Sequence, residues 1–171
     1  MKIFLDIETT STKGDTGQIT AMGIIKDNKI KVKFADKPEN EKEVLEWFKG
    51  ELENCDMIIT WFGSGFDIPY ILSRSIINGI NLSKIMKIPS LDLCRFCQDN
   101  LSLAKYSLAE VAKSLSIPRN NEMNWKDMLT LYIKATSGDK KARDDIMDHC
   151  KNDLQVLKKI YEELEPYLGK N

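Results

Sequence analysis

Apolar residues along this chain first recur at a period of two, in short runs, and later at a helical period, in longer ones. "KIFLDIETT" (Lys2 to Thr10) reads as a strand, with Ile3, Leu5 and Ile7 on one face and Phe4, Asp6 and Glu8 on the other. Apolar residues on both faces place this strand centrally in a sheet. "QITAMGIIKDNKIKVKFA" reads as two strands joined by a tight turn at Asp27-Asn28. "NEKEVLEWFKGELENC" spaces Val44, Leu45, Phe48 and Leu52 as a helix does, with Asn40 as its expected N-cap. "DMIITWFG" is a short strand, and "DIPYILSRSIING" a helix with Pro69 in its first turn and Gly79 near its end. "IPSLDLCRF" reads as a further short strand. "SLAEVAKSLSI", "NWKDMLTLYIKA" and a stretch from about Lys140 to Glu165 read as helices. This order predicts an α/β fold, a mixed central β-sheet flanked by helices.

The length, 171 residues, suits a single domain spanning 1–171. With 42% hydrophobic and 30% charged residues, the chain has the composition of a soluble globular protein. Lys plus Arg number 25 and Asp plus Glu 26, so no global basic excess draws in nucleic acid, and any such binding needs local cations. No apolar run reaches the ~18 residues of a membrane span, and Asp6 and Glu8 interrupt any signal-peptide core, so a cytoplasmic protein without membrane attachment is expected. Cys55, Cys94, Cys97 and Cys150 are too few and too scattered for a disulfide framework, which fits a reduced compartment. Zinc on Cys94, Cys97, His149 and Cys150 is disfavoured by incomplete spacing, and the thiols read as small buried hydrophobes. Trp47, Trp61 and Trp125 read as core, and "KIKVK" as a strand with one solvated face.

The candidate chemistry lies in the acids. Asp6 and Glu8 either sit solvated at the end of their strand or hold a divalent cation, since hard ions such as Mg²⁺ take carboxylate oxygens. Asp67, after a glycine-rich turn, is either a plain N-cap or a ligand at the end of a strand. In the last helix Asp153 borders the apolar stripe Ile146, Cys150, Leu154, Leu157, Tyr161 and Leu164, with His149 one turn before it. His149 is the only histidine of the chain and is either structural or a proton carrier near neutral pH.

"LDIETT", "FGSGFDIPY" and "HCKNDLQVL", in that order, resemble the three exonuclease motifs of the DEDD superfamily, which are ribonuclease H-like 3′→5′ exonucleases. Among them the chain is most similar to predicted ribonuclease H-like exonucleases related to family B polymerase proofreading domains. "YSLAEVAKSLSIP" also resembles the helix between the second and third motifs. The resemblance implies a ribonuclease H-like fold and a hydrolase of single-stranded DNA or RNA with a free 3′ end, DNA being favoured. It also implies two metal ions, Mg²⁺ or Mn²⁺, held by Asp6, Glu8, Asp67 and Asp153. Asp6 would bridge the ions, Glu8 and Asp153 would hold the one beside the attacking water, and Asp67 would serve the second. His149 would orient or deprotonate the water, and Thr9 would meet the terminal nucleotide through its backbone. A polymerase or repair partner is not identified by these motifs. Two positions depart from the pattern. Histidine stands where related enzymes carry tyrosine four residues before the last aspartate, and Phe62 stands where many carry asparagine, offering an aromatic face to a base. A binding module without catalysis and an endonuclease are the alternatives on the same fold.

Overall fold

The computed structural model describes residues 1–119 and 127–169. Strands β1 (Lys2–Thr9), β2 (Ile19–Lys26) and β3 (Lys29–Phe34) form an antiparallel meander, and β4 (Met57–Thr60) and β5 (Ser90–Asp92) add to the other side of β1 in parallel. The sheet order is β3-β2-β1-β4-β5, so β1 is central, as its two apolar faces require. The helices are α1 (Glu41–Glu51), α2 (Asp67–Ile77), α3 (Leu93–Asn100), α4 (Leu108–Ser114), α5 (Met128–Thr136) and α6 (Lys140–Leu164).

The strand period sorts the core into two. Ile3, Leu5 and Ile7 pack with residues of α1, α2 and α5 on one face of the sheet. Phe4 packs with residues of α3, α4 and α6 on the other, the face that Asp6 and Glu8 share. Val44, Leu45 and Phe48 of α1, and Leu52 at its end, are fully buried, each contributing roughly 1.5–3 kcal/mol of transfer free energy. Glu41 is buried at the start of α1 and bridges the chain: it accepts from the Ile19 amide at 2.8 Å, from Arg74 at 2.6 and 2.8 Å, and from Asn78 at 2.9 Å.

Local chemistry explains most boundaries. Asp27 and Asn28 both take positive φ, 52° and 58°, as a two-residue hairpin turn requires. Gly79 follows α2 in the left-handed conformation at φ 68°. Three boundaries differ from expectation. Asn40 makes no cap hydrogen bond, because the 3-10 turn Pro38–Asn40 already leads into α1, and its side chain bonds Glu43 instead. Strand β5 stops at Asp92, whose carboxylate caps α3 through the Cys94 and Arg95 amides at 3.1 and 3.3 Å, so "LCRF" is helical. Asp67 is the first helical residue of α2 rather than its cap. Trp47 and Trp61 are half-buried at the margins of the two cores; Trp125 and the start of "NWKDMLTLYIKA" lie outside the described residues. β3 is an edge strand, and its exposed Lys29 and Lys31 disfavour edge-to-edge pairing.

One close approach positions α6. Gly23 stands opposite Asp6 in the β1–β2 register, and a Cβ there would lie 2.5 Å from Cys150 Sγ and 2.6 Å from a Leu154 methyl. Glycine therefore lets the helix lie directly on the strand pair. Gly23→Ala is expected to lower the unfolding free energy by about 1–3 kcal/mol through overpacking. Gly50→Ala, in α1 where an added methyl meets nothing within 4 Å, is expected to raise it by about 0.5–1 kcal/mol. Urea melts of both variants check this, and a Gly23→Ala protein as stable as wild type contradicts it.

Candidate active site

Asp6 and Glu8 project from the same face of β1 toward α6. The β1–β2 register shifts immediately after Glu8, leaving Thr20 as the extra residue, a distortion of the kind that re-aims side chains beside functional sites. Asp6 is half-buried, and its Oδ2 is withdrawn from solvent without a hydrogen-bond partner among the described residues. Glu8 is 8% exposed. Across from them, α6 brings in three consecutive inward positions. His149 Nε2 lies 3.7 Å from Glu8 Oε1 and 3.7 Å from Asp153 Oδ2. Cys150 Sγ lies 3.9 Å from the Asp6 carbonyl oxygen, and Asp6, Glu8 and Cys150 each offer a ligand atom within 4.8 Å of the others. Asp67, buried at the start of α2, approaches from the β4 side close enough to act on the charge of Asp6 and Glu8. The fold thus brings Asp6, Glu8, His149 and Asp153 together, with Asp67 beside them.

Burial and mutual repulsion govern the protons. Burial, then the charges of Glu8, Asp153 and Asp67, hold the Asp6 carboxyl well above its ordinary range. Burial, then Asp153 and Asp67, do the same to Glu8, with Arg119 opposing. Burial raises Asp67 to about 7. Burial lowers His149, against the pull of Asp153 and with the push of Arg119, so its imidazole is neutral at neutral pH. Burial and the adjacent acids push the Cys150 thiol upward, so it stays protonated and packs as a small hydrophobe.

Thr9 is half-buried, its hydroxyl donating to the Ser11 carbonyl at 2.8 Å. With Ile7, Glu8, Ser11, Phe66 and Met128 it lines a cavity of about 310 Å³. Phe62 lies at the surface, 37% exposed, with φ 58°, a left-handed conformation that a bulky residue seldom takes. Asp92 holds it there: its carboxylate accepts from the Phe62 amide at 2.9 Å, the Ser64 amide at 3.0 Å and the Ser64 hydroxyl at 2.5 Å. The Arg95 guanidinium sits 4.9 Å from the centre of the Phe62 ring.

Sequence reasoning missed Arg119, whose guanidinium grips the Asp153 carboxylate through contacts of 2.8, 3.1 and 3.2 Å. Nothing in the periodicity of "SIPRN" signals it, because the residue lies in a loop after α4 and only tertiary packing delivers it. Asp92 had a local signal, an aspartate two residues before a cysteine-arginine pair at a helix start, but its second role in holding the Phe62 turn had none.

In the presence of chelator, Asp6→Asn is expected to stabilise the protein by replacing a carboxyl whose ionisation burial and the neighbouring acids disfavour. An acid whose folded pKa is raised keeps its proton in the folded state after the unfolded chain has released it, so stability present at low pH is lost as pH rises through the raised value. The gap in thermal midpoint between Asp6→Asn and wild type therefore opens as pH climbs above the ordinary carboxylate range. At neutral pH it reaches about 2 °C or more, the shift that about 1 kcal/mol produces in a domain of this size. Thermal melts across pH check it, and a gap that shrinks with rising pH contradicts it.

The sequence model of the RNase_H superfamily matches residues 3–165. The solved family B DNA polymerase from the hyperthermophilic archaeon Pyrobaculum calidifontis superposes with a TM-score of 0.85 at 16% identity, a likeness of fold. That match covers 98% of this chain and 25% of the polymerase chain, so the protein spans about a quarter of that structure's length. No curated protein matches the sequence. No helix among the described residues is long and apolar enough to cross a membrane. With the family model spanning nearly its whole length, the chain belongs to the RNase H superfamily.

Proposed function

We propose that the protein is a metal-dependent 3′→5′ exonuclease acting on single-stranded nucleic acid, DNA before RNA. The observation that carries this reading is the convergence of Glu8 and Asp153 on His149, with Asp6 beside Glu8 and its buried Oδ2 without a hydrogen-bond partner among the described residues. Such a cluster is costly without compensating positive charge, and a buried carboxylate oxygen lacking a donor fits a cation. The donor set is hard oxygen, which suits Mg²⁺ or Mn²⁺ better than zinc. Asp6, Glu8 and Asp153 would hold the cations, with Asp67 at the β4 side. Cations bound there would lower the pKa of a water and offset charge on the scissile phosphate.

The chain's own residues supply the rest. His149, neutral and held by the α6 backbone, presents Nε2 between Glu8 and Asp153, where it accepts a proton from an attacking water. The cavity beside Glu8 and Thr9 accommodates one terminal nucleoside, with Phe66 and Met128 as its apolar wall and the Thr9 backbone at its edge. The resemblance of the three motifs favours attack at a strand end over internal cleavage. Phe62, fixed by Asp92 and backed by Arg95, presents an aromatic face on which a base of the incoming strand stacks.

Degradation of end-labelled single strands tests the reading. With Mg²⁺ or Mn²⁺, 5′-labelled strands should shorten stepwise while 3′-labelled strands release labelled mononucleotide at once. Chelator should stop both, as should Asp6→Asn or Asp153→Asn. Activity that survives exhaustive chelation, or cleavage of circular single strands, sinks it.

Two variants separate chemistry from binding. His149→Ala should cut single-turnover cleavage by about 10²–10⁴-fold, the usual contribution of a general base, with the Mn²⁺ concentration for half-activation nearly unchanged. Phe62→Ala should instead weaken oligonucleotide binding, by about 1–3 kcal/mol for one lost stacking contact. Fluorescence anisotropy without catalytic metal reads the second. A His149→Ala protein with wild-type turnover assigns the histidine a packing role only.

A further inference from the structure

We propose that Arg119 is a placeholder cation that neutralises Asp153 in the metal-free protein and transfers to a substrate phosphate on loading, so that metal and phosphate bind cooperatively. The inference rests on the reading of the site as a metal centre and goes beyond it by assigning a residue that controls how that centre fills.

The guanidinium contacts both oxygens of Asp153. Its two contacting nitrogens reach Oδ1 at 2.8 and 3.2 Å and Oδ2 at 3.1 Å, the fork that arginine forms with carboxylates and forms equally well with phosphates. Both side chains are well shielded, 18% and 14% exposed. Among the described residues, Arg119 is the one lysine or arginine paired with any of the four acids. A divalent ion on Asp153 therefore competes with this guanidinium for the same oxygens.

Arg119 also has somewhere to go. It lines the rim of an open groove of about 440 Å³ with Glu110, Lys113, Ser116, Ile117 and Pro118. Lys113 and Arg119 against Glu110 leave that groove one net positive charge in a protein whose net charge is −1, and the groove meets the acids at Arg119. Pro118 fixes the backbone just before Arg119, so the change needs only rotation of a long side chain. A phosphate in the groove draws the fork off Asp153, which frees both carboxylate oxygens for the cation. The cation in turn removes the partner that held Arg119 and makes it available to phosphate. Linkage requires the two effects to be equal.

Calorimetric titration tests this, with Mn²⁺ as the first ligand and deoxyadenosine 5′-monophosphate as the second. The comparison is between wild type, Arg119→Gln and Arg119→Lys, each shown folded by near-ultraviolet circular dichroism. Arg119→Gln should bind Mn²⁺ alone several-fold more tightly than wild type, because the competitor is gone. The nucleotide should tighten Mn²⁺ binding in wild type by a factor in the usual range of about 5–150, and by clearly less in Arg119→Gln. Arg119→Lys keeps the charge and loses the fork, so its coupling should fall between the two. Equal or weaker Mn²⁺ binding by Arg119→Gln, or undiminished coupling in it, overturns the inference while leaving the metal centre standing. Absence of Mn²⁺ binding in wild type would instead overturn the reading of the site itself.

Discussion

Carboxylates gathered away from water repel one another, and the elements around β1 are arranged to hold them there despite that repulsion. Burial raises Asp6, Glu8 and Asp67, and the charges of neighbouring acids add to the rise of Asp6 and Glu8, so in the metal-free protein these acids hold their protons to higher pH than they would at the surface. Apolar packing offsets this cost. Ile3, Leu5 and Ile7 on one face of β1 and Phe4 on the other fix the strand at the centre of the sheet, and the acids ride on it. The same packing holds α6, whose stripe from Ile146 to Leu164 is buried while His149 and Asp153 face the acids. Core and site share one helix, so stability and chemistry cannot be altered independently there.

Three small features carry out the positioning. Gly23 removes the methyl that would hold α6 off the strands. The shift in register after Glu8 turns the end of β1 beside the cluster. Asp92 caps α3 and also holds the turn that carries Phe62 in a left-handed conformation. Arg119 adds the one guanidinium among the described residues that pairs with Asp153 and offsets the cost of holding it half-buried beside its neighbours.

Much of this was legible in the sequence, because two periodicities carry it. A period of two placed Asp6 and Glu8 on a common face of a central strand. A period near four placed His149 one turn from Asp153 beside a buried stripe, and the resemblance of three ordered motifs joined those segments to Asp67. What could not be read depends on partners that only the folded chain supplies. Gly23 matters because Cys150 and Leu154 come to it from far along the chain. Arg119 sits in a loop with no pattern of its own. Glu41 is one of several acids in "NEKEVLE" with nothing local to single it out, yet it is buried and joins the Ile19 amide to Arg74 and Asn78. The end of β5 was misjudged because "SLDLCRF" suits a strand by composition, and the capping side chain of Asp92 decided otherwise.

The central claim is that these acids are kept together to hold divalent cations. Diffraction from crystals of the protein grown or soaked with Mn²⁺, measured for anomalous scattering, tests it most directly. The account predicts anomalous density within coordinating distance of Asp6 and Glu8, with the Arg119 guanidinium moved off Asp153 wherever that carboxylate also binds the ion. A cluster that stays free of Mn²⁺ at saturating concentration, with Arg119 still on Asp153, would contradict it.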